Sequence, residues 1–212
     1  LYLVGLDKAI DFAERMGITT LANKERYGLT LVLGGGEVSL LDITSAYGVF
    51  ANDGKRNPYT GIIRVEDSQG NILSESSPRE NQVINQEIAR KMSSVLSDNT
   101  ARTPAFGEQS YLNFPNHQVA VKTGTTNDYR DAWIIGYTPS LAVGSWAGNN
   151  DNSAMEKKVA GFIIAPLWNA FFTEAFKTIP DEKFPLPQTP SPMLKPVLRG
   201  IWYGGETFAV DK

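Results

Sequence analysis

The chain has 212 residues, 42% of them hydrophobic and 20% charged, with a formal net charge of −3 at pH 7. This length allows one large domain, or one domain and a tail, with a substantial core. Lysines and arginines are scattered and not in excess, so nucleic acid is not an expected partner. The absence of cysteine excludes thiol catalysis and disulfides, and the single histidine, His117, excludes a histidine-rich metal cluster.

Local sequence signals predict the elements of the first half of the chain. Two helices are expected, the first stopped by Gly17 and the second capped by Ser39, with Asp42 three residues further on. Between them an apolar run ends in three glycines, which predicts a tight turn or a close backbone approach. A hairpin and a third helix follow. The first helix is predicted over residues 6–16 and the apolar run over residues 28–37. The second helix is predicted over residues 37–54, the hairpin over 61–75 and the third helix over about 85–97.

The second half predicts a small sheet. After a loop rich in glycine and proline, strands are expected over 117–123, 131–138 and 141–148. Their short connections imply antiparallel neighbours. An aromatic-rich helix over 162–178 should pack on one face of the sheet. The predicted fold class is therefore α+β, an antiparallel sheet with packed helices.

The composition changes after Pro180. Six of the twelve prolines fall between Pro180 and Pro196, a density typical of a linker or an extended arm. We therefore expect residues 1–178 to form the folded portion and residues 179–212 to form a proline-rich tail or linker.

The ends and the hydropathy of the chain bear on its location. No run approaches the roughly 18 apolar residues of a membrane span. The sequence opens without an initiator Met and without the layout of a signal peptide. We expect the chain to be a piece of a larger protein, with any targeting or anchoring element outside it.

The segment Lys122-Thr123-Gly124-Thr125-Thr126 ends the first strand of the predicted sheet. Lysine supplies a positive charge, threonine hydroxyls donate and accept hydrogen bonds, and glycine allows a ligand to approach the strand. Side chains alternate, so Lys122 and Gly124 should lie on one face and Thr123 and Thr125 on the other. An exposed strand edge can also bind an extended peptide. The segment fits a binding site for a peptide carboxylate, and on these residues alone a threonine-rich turn is an equal alternative.

Three longer segments resemble the transpeptidase domain of bifunctional (class A) penicillin-binding proteins. They are "LYLVGLDKAIDFAERMGIT", "GLTLVLGGGEVSLLDITSAYGVFANDG" and "KTGTTNDYRDAWIIGYTPSLAVGSWAGNND". The resemblance covers about residues 1–178 and corresponds to the C-terminal part of that domain. It implies the fold shared by penicillin-binding transpeptidases and serine β-lactamases, in which a Lys-Thr-Gly strand lines the active site.

The resemblance implies roles for the residues of this segment. Lys122 and Thr125 would be catalytic. Lys122 would belong to the hydrogen-bond network of the nucleophile, and the Thr125 backbone N–H would form half of the oxyanion hole. Thr123 and Thr125 would bind the terminal carboxylate of the substrate, Gly124 would allow its close approach, and Thr126 would lie at the mouth of the site.

Two further motifs of the family are expected upstream of this chain. The reaction needs a serine nucleophile in Ser-x-x-Lys, and no serine here has a lysine three positions on. The string Ser97-Asp98-Asn99 matches the family's Ser-x-Asn motif, but it precedes Lys122 by only 25 residues and falls at the end of a predicted helix. We interpret it as a helix cap. By itself the chain should therefore not be acylated.

The implied activity is D,D-transpeptidation, a serine acyl transfer that cross-links peptidoglycan stem peptides ending in D-Ala-D-Ala. The implied partners are the stem peptide, β-lactam antibiotics and the upstream part of the same domain, without a metal or organic cofactor. The implied location is the outer face of the bacterial cytoplasmic membrane. A D,D-carboxypeptidase, a serine β-lactamase, a non-catalytic sensor that binds penicillin or peptidoglycan, and a scaffold without an active role are the alternatives.

Overall fold

The computed structural model describes residues 1–77, residues 79–195 and residue 199. In these parts of the chain the helices are Leu6–Met16 (α1), Leu40–Ala51 (α2), Gln86–Leu96 (α3), Asn99–Phe106 (α4), Ala160–Ile163 (α5) and Ala165–Ala175 (α6). The strands are Lys55–Arg56 (β1), Arg64–Glu66 (β2), Ile72–Glu75 (β3), Asn81–Gln82 (β4), Ala120–Thr125 (β5), Asp131–Tyr137 (β6) and Ala142–Gly148 (β7). Short 3₁₀ helices cover Lys24–Arg26, Leu29–Leu33 and Asn127–Tyr129. The predicted tail of residues 179–212 lies partly outside the described residues.

The central sheet is antiparallel, with strand order β5-β6-β7. Lys122 pairs with Ile135 across β5 and β6, and Trp133 pairs with Trp146 across β6 and β7. In the described part of the chain β5 has no neighbour on its other side, so it is an edge strand. Helices cover both faces of the sheet, and the predicted α+β class is confirmed.

Helices α5 and α6 cover one face of the sheet. Trp168 and Phe172 on α6 are fully buried there, against Val121 of β5 and Ile134 of β6. The prediction of an aromatic helix on the sheet is confirmed, although two helices replace the single expected one. Pro166 lacks the N–H that would bond to the carbonyl four residues earlier, so the helix cannot run unbroken through this point.

Helices α2 and α3 cover the opposite face. The predicted cap of α2 is confirmed, since the Ser39 hydroxyl accepts a hydrogen bond from the Asp42 N–H at 3.0 Å. Tyr137 of β6 is fully buried under these helices, and its hydroxyl lies 3.1 Å from Ser93 Oγ of α3. Burial raises the pKa of Tyr137. The phenol is therefore a neutral structural group at physiological pH.

Helix α4 occupies a region predicted to be a loop. Its N-cap is Asp98, whose carboxylate accepts from the Ala101 N–H at 2.9 Å. Arg102 on the same helix donates to the Leu96 carbonyl at 2.7 Å and so satisfies the end of α3. The loop prediction was wrong because Pro104, which usually interrupts a helix, lies inside this one.

Strand β5 begins three residues later than predicted, at Ala120. The two residues expected at its start make side-chain contacts instead. The ring of His117 stacks on Phe176 with centroids 3.8 Å apart, and Gln118 Oε1 accepts from the Phe184 N–H at 3.0 Å. These contacts join the start of β5 to the segment that follows α6.

Part of the proline-rich segment packs on the folded portion. Phe184 is 6% exposed and contacts Ala120 of β5 and Tyr137 of β6. Further along, the Gln188 N–H donates to the Glu87 side chain of α3 at 2.8 Å. The segment therefore crosses from the end of α6 to α3 beneath the start of β5.

We expect Phe184→Ala to lower the free energy of unfolding by about 3 kcal/mol, because the truncation leaves a cavity beside Tyr137. Urea unfolding followed by tryptophan fluorescence measures this change. Leu186→Ala is the matched control, since Leu186 belongs to the same segment and is 82% exposed. The packing assigned to Phe184 would be wrong if both variants lost the same small amount of stability.

No helix in the described ranges combines the length and the hydrophobicity needed to cross a lipid bilayer.

Candidate functional site

The predicted site residues lie at the end of the edge strand β5. Val121 belongs to the core under α6, and Ala120 belongs to the cluster around Tyr137 on the opposite face. Since side chains alternate along a strand, Lys122 and Gly124 share the face of Ala120, and Thr123 and Thr125 share the face of Val121. The hydrogen bond from the Ala160 N–H to Thr125 Oγ1 places Thr125 on the face of Val121, as predicted, because Ala160 and Val121 belong to the same core cluster.

The backbone of β5 presents free polar groups at the open edge. The Thr126 N–H donates to the Asp131 carbonyl of β6 at 3.2 Å. Backbone groups of successive strand residues point to alternate sides, so the Thr125 N–H points away from β6, toward the unpaired edge. The Thr123 carbonyl points the same way and accepts a hydrogen bond from Lys122 Nζ at 2.6 Å. The edge therefore presents an N–H donor and an ammonium group next to each other.

Lys122 is exposed. None of the ion pairs formed by the described residues includes its ammonium group. A carboxylate that binds at this edge would be close to the Lys122 ammonium group, whose position is fixed by its hydrogen bond to the Thr123 carbonyl.

Gly124 is not required by the packing of the described residues. A Cβ atom at this position would meet one neighbour, the Cβ of Trp133, at an ordinary 3.5 Å. Its φ angle is not in the left-handed region that favours glycine. The surface over Gly124 is therefore open, as a site for close approach of a ligand requires.

Thr125 is held by the helix that lies next to β5. Its hydroxyl oxygen accepts a hydrogen bond from the Ala160 N–H, the first residue of α5, at 2.9 Å. Accepting this bond leaves the hydroxyl proton available to a further acceptor. The contact spans 35 residues of sequence, and no local signal in the sequence predicted it.

The hydroxyl of Thr126 is engaged in the turn between β5 and β6. It donates to Asp131 Oδ2 at 2.8 Å and accepts from the Asp131 N–H at 2.8 Å. The other carboxylate oxygen of Asp131 accepts from Trp146 Nε1 at 2.9 Å. These bonds fix the end of the site strand, and a direct role for Thr126 in binding substrate stays a prediction.

The string Ser97-Asp98-Asn99 joins two helices, as predicted for a cap. Ser97 is the C-cap of α3 and Asp98 is the N-cap of α4. A cleft of about 330 Å³ lies beside this junction, with Arg102 and His117 in its wall, and its lining does not include residues 122–126. The string is therefore a structural junction outside the β5 edge.

The chain matches a family model described as the penicillin-binding protein transpeptidase domain, over residues 12–169. Penicillin-binding protein 1A of Aquifex aeolicus is 31% identical over 189 residues, which cover 87% of this chain and 24% of that protein. Penicillin-binding protein 1A of Rickettsia typhi is 28% identical over 206 residues, covering 88% of this chain and 26% of that protein. The chain thus spans about a quarter of the length of these curated relatives.

Solved structures share the fold. The PonA1 protein of Mycobacterium tuberculosis in complex with penicillin V aligns with a TM-score of 0.71 and 24% identity, over 87% of this chain and 53% of that chain. Penicillin-binding protein 1A of Haemophilus influenzae aligns with a TM-score of 0.69 and 22% identity, over 89% of this chain and 33% of that chain. At these identities the similarity bears on the fold alone.

Proposed function

The chain belongs to the penicillin-binding protein transpeptidase family, and we propose that it forms one wall of the active site of a peptidoglycan D,D-transpeptidase. The observation that carries the proposal is the open edge of β5. There the Lys122 ammonium, the outward Thr125 N–H and the uncovered Gly124 lie within four consecutive residues. A peptide that ends in a carboxylate is the ligand that this set of groups suits best.

The donor stem peptide binds along this edge as an extended strand. Its terminal carboxylate accepts hydrogen bonds from the hydroxyls of Thr123 and Thr125, and the ammonium of Lys122 adds electrostatic attraction. Gly124 leaves room for the peptide backbone. The D-Ala-D-Ala amide then lies beside the Thr125 N–H, where a developing negative charge on its carbonyl oxygen is stabilised.

The nucleophile is a serine in a Ser-x-x-Lys motif that lies upstream of this chain. Its Oγ attacks the carbonyl carbon of the penultimate D-Ala and passes its proton to the motif lysine. The C–N bond breaks, the terminal D-Ala leaves with a proton on its amine, and a serine ester remains. An amine of a second stem peptide attacks this ester and forms the cross-linking amide, the serine C–O bond breaks, and a proton lost by the attacking amine restores the serine hydroxyl. Lys122 stabilises the negative charge that develops on the substrate during these steps, and it positions the groups that transfer the protons.

A β-lactam acylates the same serine by opening its ring, so β-lactam antibiotics are expected inhibitors. The stem peptide is presented on the outer face of the cytoplasmic membrane, and a segment outside this chain anchors the protein there. The relatives named penicillin-binding protein 1A support the expected binding of penicillin.

The test is to map the acylation site after incubating the full-length protein with benzylpenicillin. We expect one adduct, on a serine outside the 212 residues of this chain, and no adduct when this chain is incubated alone. An adduct on Ser97 or on any other serine of the chain would contradict the proposal. With a stem-peptide donor and an amine acceptor, cross-linked product identifies a transpeptidase. Exclusive hydrolysis would favour a carboxypeptidase or a β-lactamase.

A further inference from the structure

We propose that the backbone N–H of Ala160 is a positioning group for catalysis. It holds the hydroxyl of Thr125 in the orientation that donates its proton to the substrate carboxylate. This inference rests on the proposed function, because it concerns how one of the carboxylate-binding groups is prepared before the substrate arrives.

The contact is formed between a strand and a helix that approach each other only in the folded chain. Thr125 is the last residue of β5 and Ala160 is the first residue of α5, and the N···Oγ1 distance is 2.9 Å. The first N–H groups of a helix have no partner within it. In α5 one of them is satisfied by Thr125, and the side chain of Thr125 is held in return.

The packing around α5 fixes the position of this N–H. Ala160 is fully buried in the core that contains Trp168. The next residue, Gly161, packs so closely against α4 that a Cβ atom there would lie 2.7 Å from Cε1 of Phe106. Because α5 is confined between the sheet and α4, its first N–H cannot shift without disturbing the core.

A threonine hydroxyl can rotate and can donate to nearby backbone carbonyls, which would withdraw its proton from a ligand. With one lone pair of Thr125 Oγ1 engaged by Ala160, the proton must point away from that N–H, because the N–H occupies the side facing α5. The hydroxyl is thereby ordered before binding, so binding of the substrate carboxylate does not include the entropic cost of ordering it. We expect the hydrogen bond from Thr125 to the carboxylate to be stronger by this amount of free energy.

The test is a double-mutant cycle in the full-length protein. One change is Thr125→Val. The other replaces the Ala160 amide by a backbone ester, which removes the N–H without adding an atom. The quantity measured is the second-order rate constant for acylation by benzylpenicillin. We expect Thr125→Val to lower it about thirtyfold and the ester to lower it about fivefold, as for loss of a charge-assisted and a neutral hydrogen bond.

The coupling between the two changes separates positioning from a general structural effect. Positioning predicts that the ester costs nothing further in the Thr125→Val background. It also predicts that the backbone ester at residue 160 slows acylation by benzylpenicillin methyl ester less than it slows acylation by benzylpenicillin, because the methyl ester lacks the charged carboxylate. Equal losses in both backgrounds, or no loss from the ester alone, would overturn the inference.

Two comparisons keep the outcomes distinguishable. If Thr125→Val leaves the acylation rate unchanged, the proposed role of Thr125 in binding the carboxylate is wrong. If Thr125→Val slows acylation but the backbone ester at residue 160 does not, only the positioning role of the Ala160 N–H is wrong. Ala160→Pro is the second variant, because proline also lacks the N–H and suits the first position of a helix. Thr173→Val, at an exposed position of α6, controls for the change of side chain and should react at the unaltered rate.

Discussion

Lys122→Ala is expected to slow acylation of the full-length protein by benzylpenicillin by a factor of about 10² to 10³ while the fold stays intact. The ammonium group is the only charge that the described part of β5 places at the open edge. Removing a group that stabilises developing charge in a catalytic site typically costs a factor of about 10² to 10³. Stability should change by no more than about 0.5 kcal/mol, since Lys122 is exposed and makes one backbone hydrogen bond.

Labelling by a fluorescent penicillin gives the rate, and thermal unfolding of the same sample gives the stability. Lys8→Ala is the matched control, because Lys8 is exposed on α1 and α1 is not part of the sheet. Normal labelling of a folded Lys122→Ala variant would remove Lys122 from the catalytic machinery.

The second large effect is a contrast between two glycines of the same sheet. Gly124→Ala is expected to fold with unchanged or slightly higher stability, because alanine is better tolerated than glycine in a strand and its Cβ has room. Its acylation rate should fall about a hundredfold, since the added methyl group occupies the surface where the ligand lies. We therefore expect Gly124 to be required for acylation and dispensable for folding.

Gly136→Ala should behave in the opposite way. A Cβ at Gly136 would lie 2.3 Å from Cζ2 of Trp168 and 2.9 Å from the Ala120 carbonyl oxygen. Overpacking of this kind against a fully buried tryptophan should lower the free energy of unfolding by about 3 kcal/mol. Urea unfolding and acylation rates of both variants test the contrast. Equal loss of stability in the two variants would show that Gly124 is also a packing glycine.

The elements that were predictable from the sequence are those whose signals are local. The predicted bounds of the first helix coincide with α1, Leu6–Met16, because its apolar spacing and the stop at Gly17 are contained in one short segment. The Ser39 cap was predictable for the same reason. The alternation of Lys122 and Thr123 followed from the geometry of any strand.

The remainder depends on contacts between distant segments. The pairing of β5 with β6 decides that the strand ends at Thr125 and not at Thr123 as predicted. Ala160 could not be identified as the hydrogen-bond partner of Thr125, because the two residues are 35 positions apart in the sequence. The burial of Phe184 against β5 was hidden by the prolines around it, which indicate an extended chain but not its docking. In each case tertiary packing supplied information that local propensity does not contain.

A crystal structure of the full-length protein acylated by benzylpenicillin would show directly whether the β5 edge binds the substrate. We expect the acyl carbonyl oxygen to lie about 2.7–3.1 Å from the backbone nitrogen of Thr125. We also expect the ligand carboxylate to lie within hydrogen-bond reach of the Thr125 hydroxyl. An acyl group bound away from β5, with no contact to residues 122–125, would contradict the assignment of this edge as the substrate-binding wall.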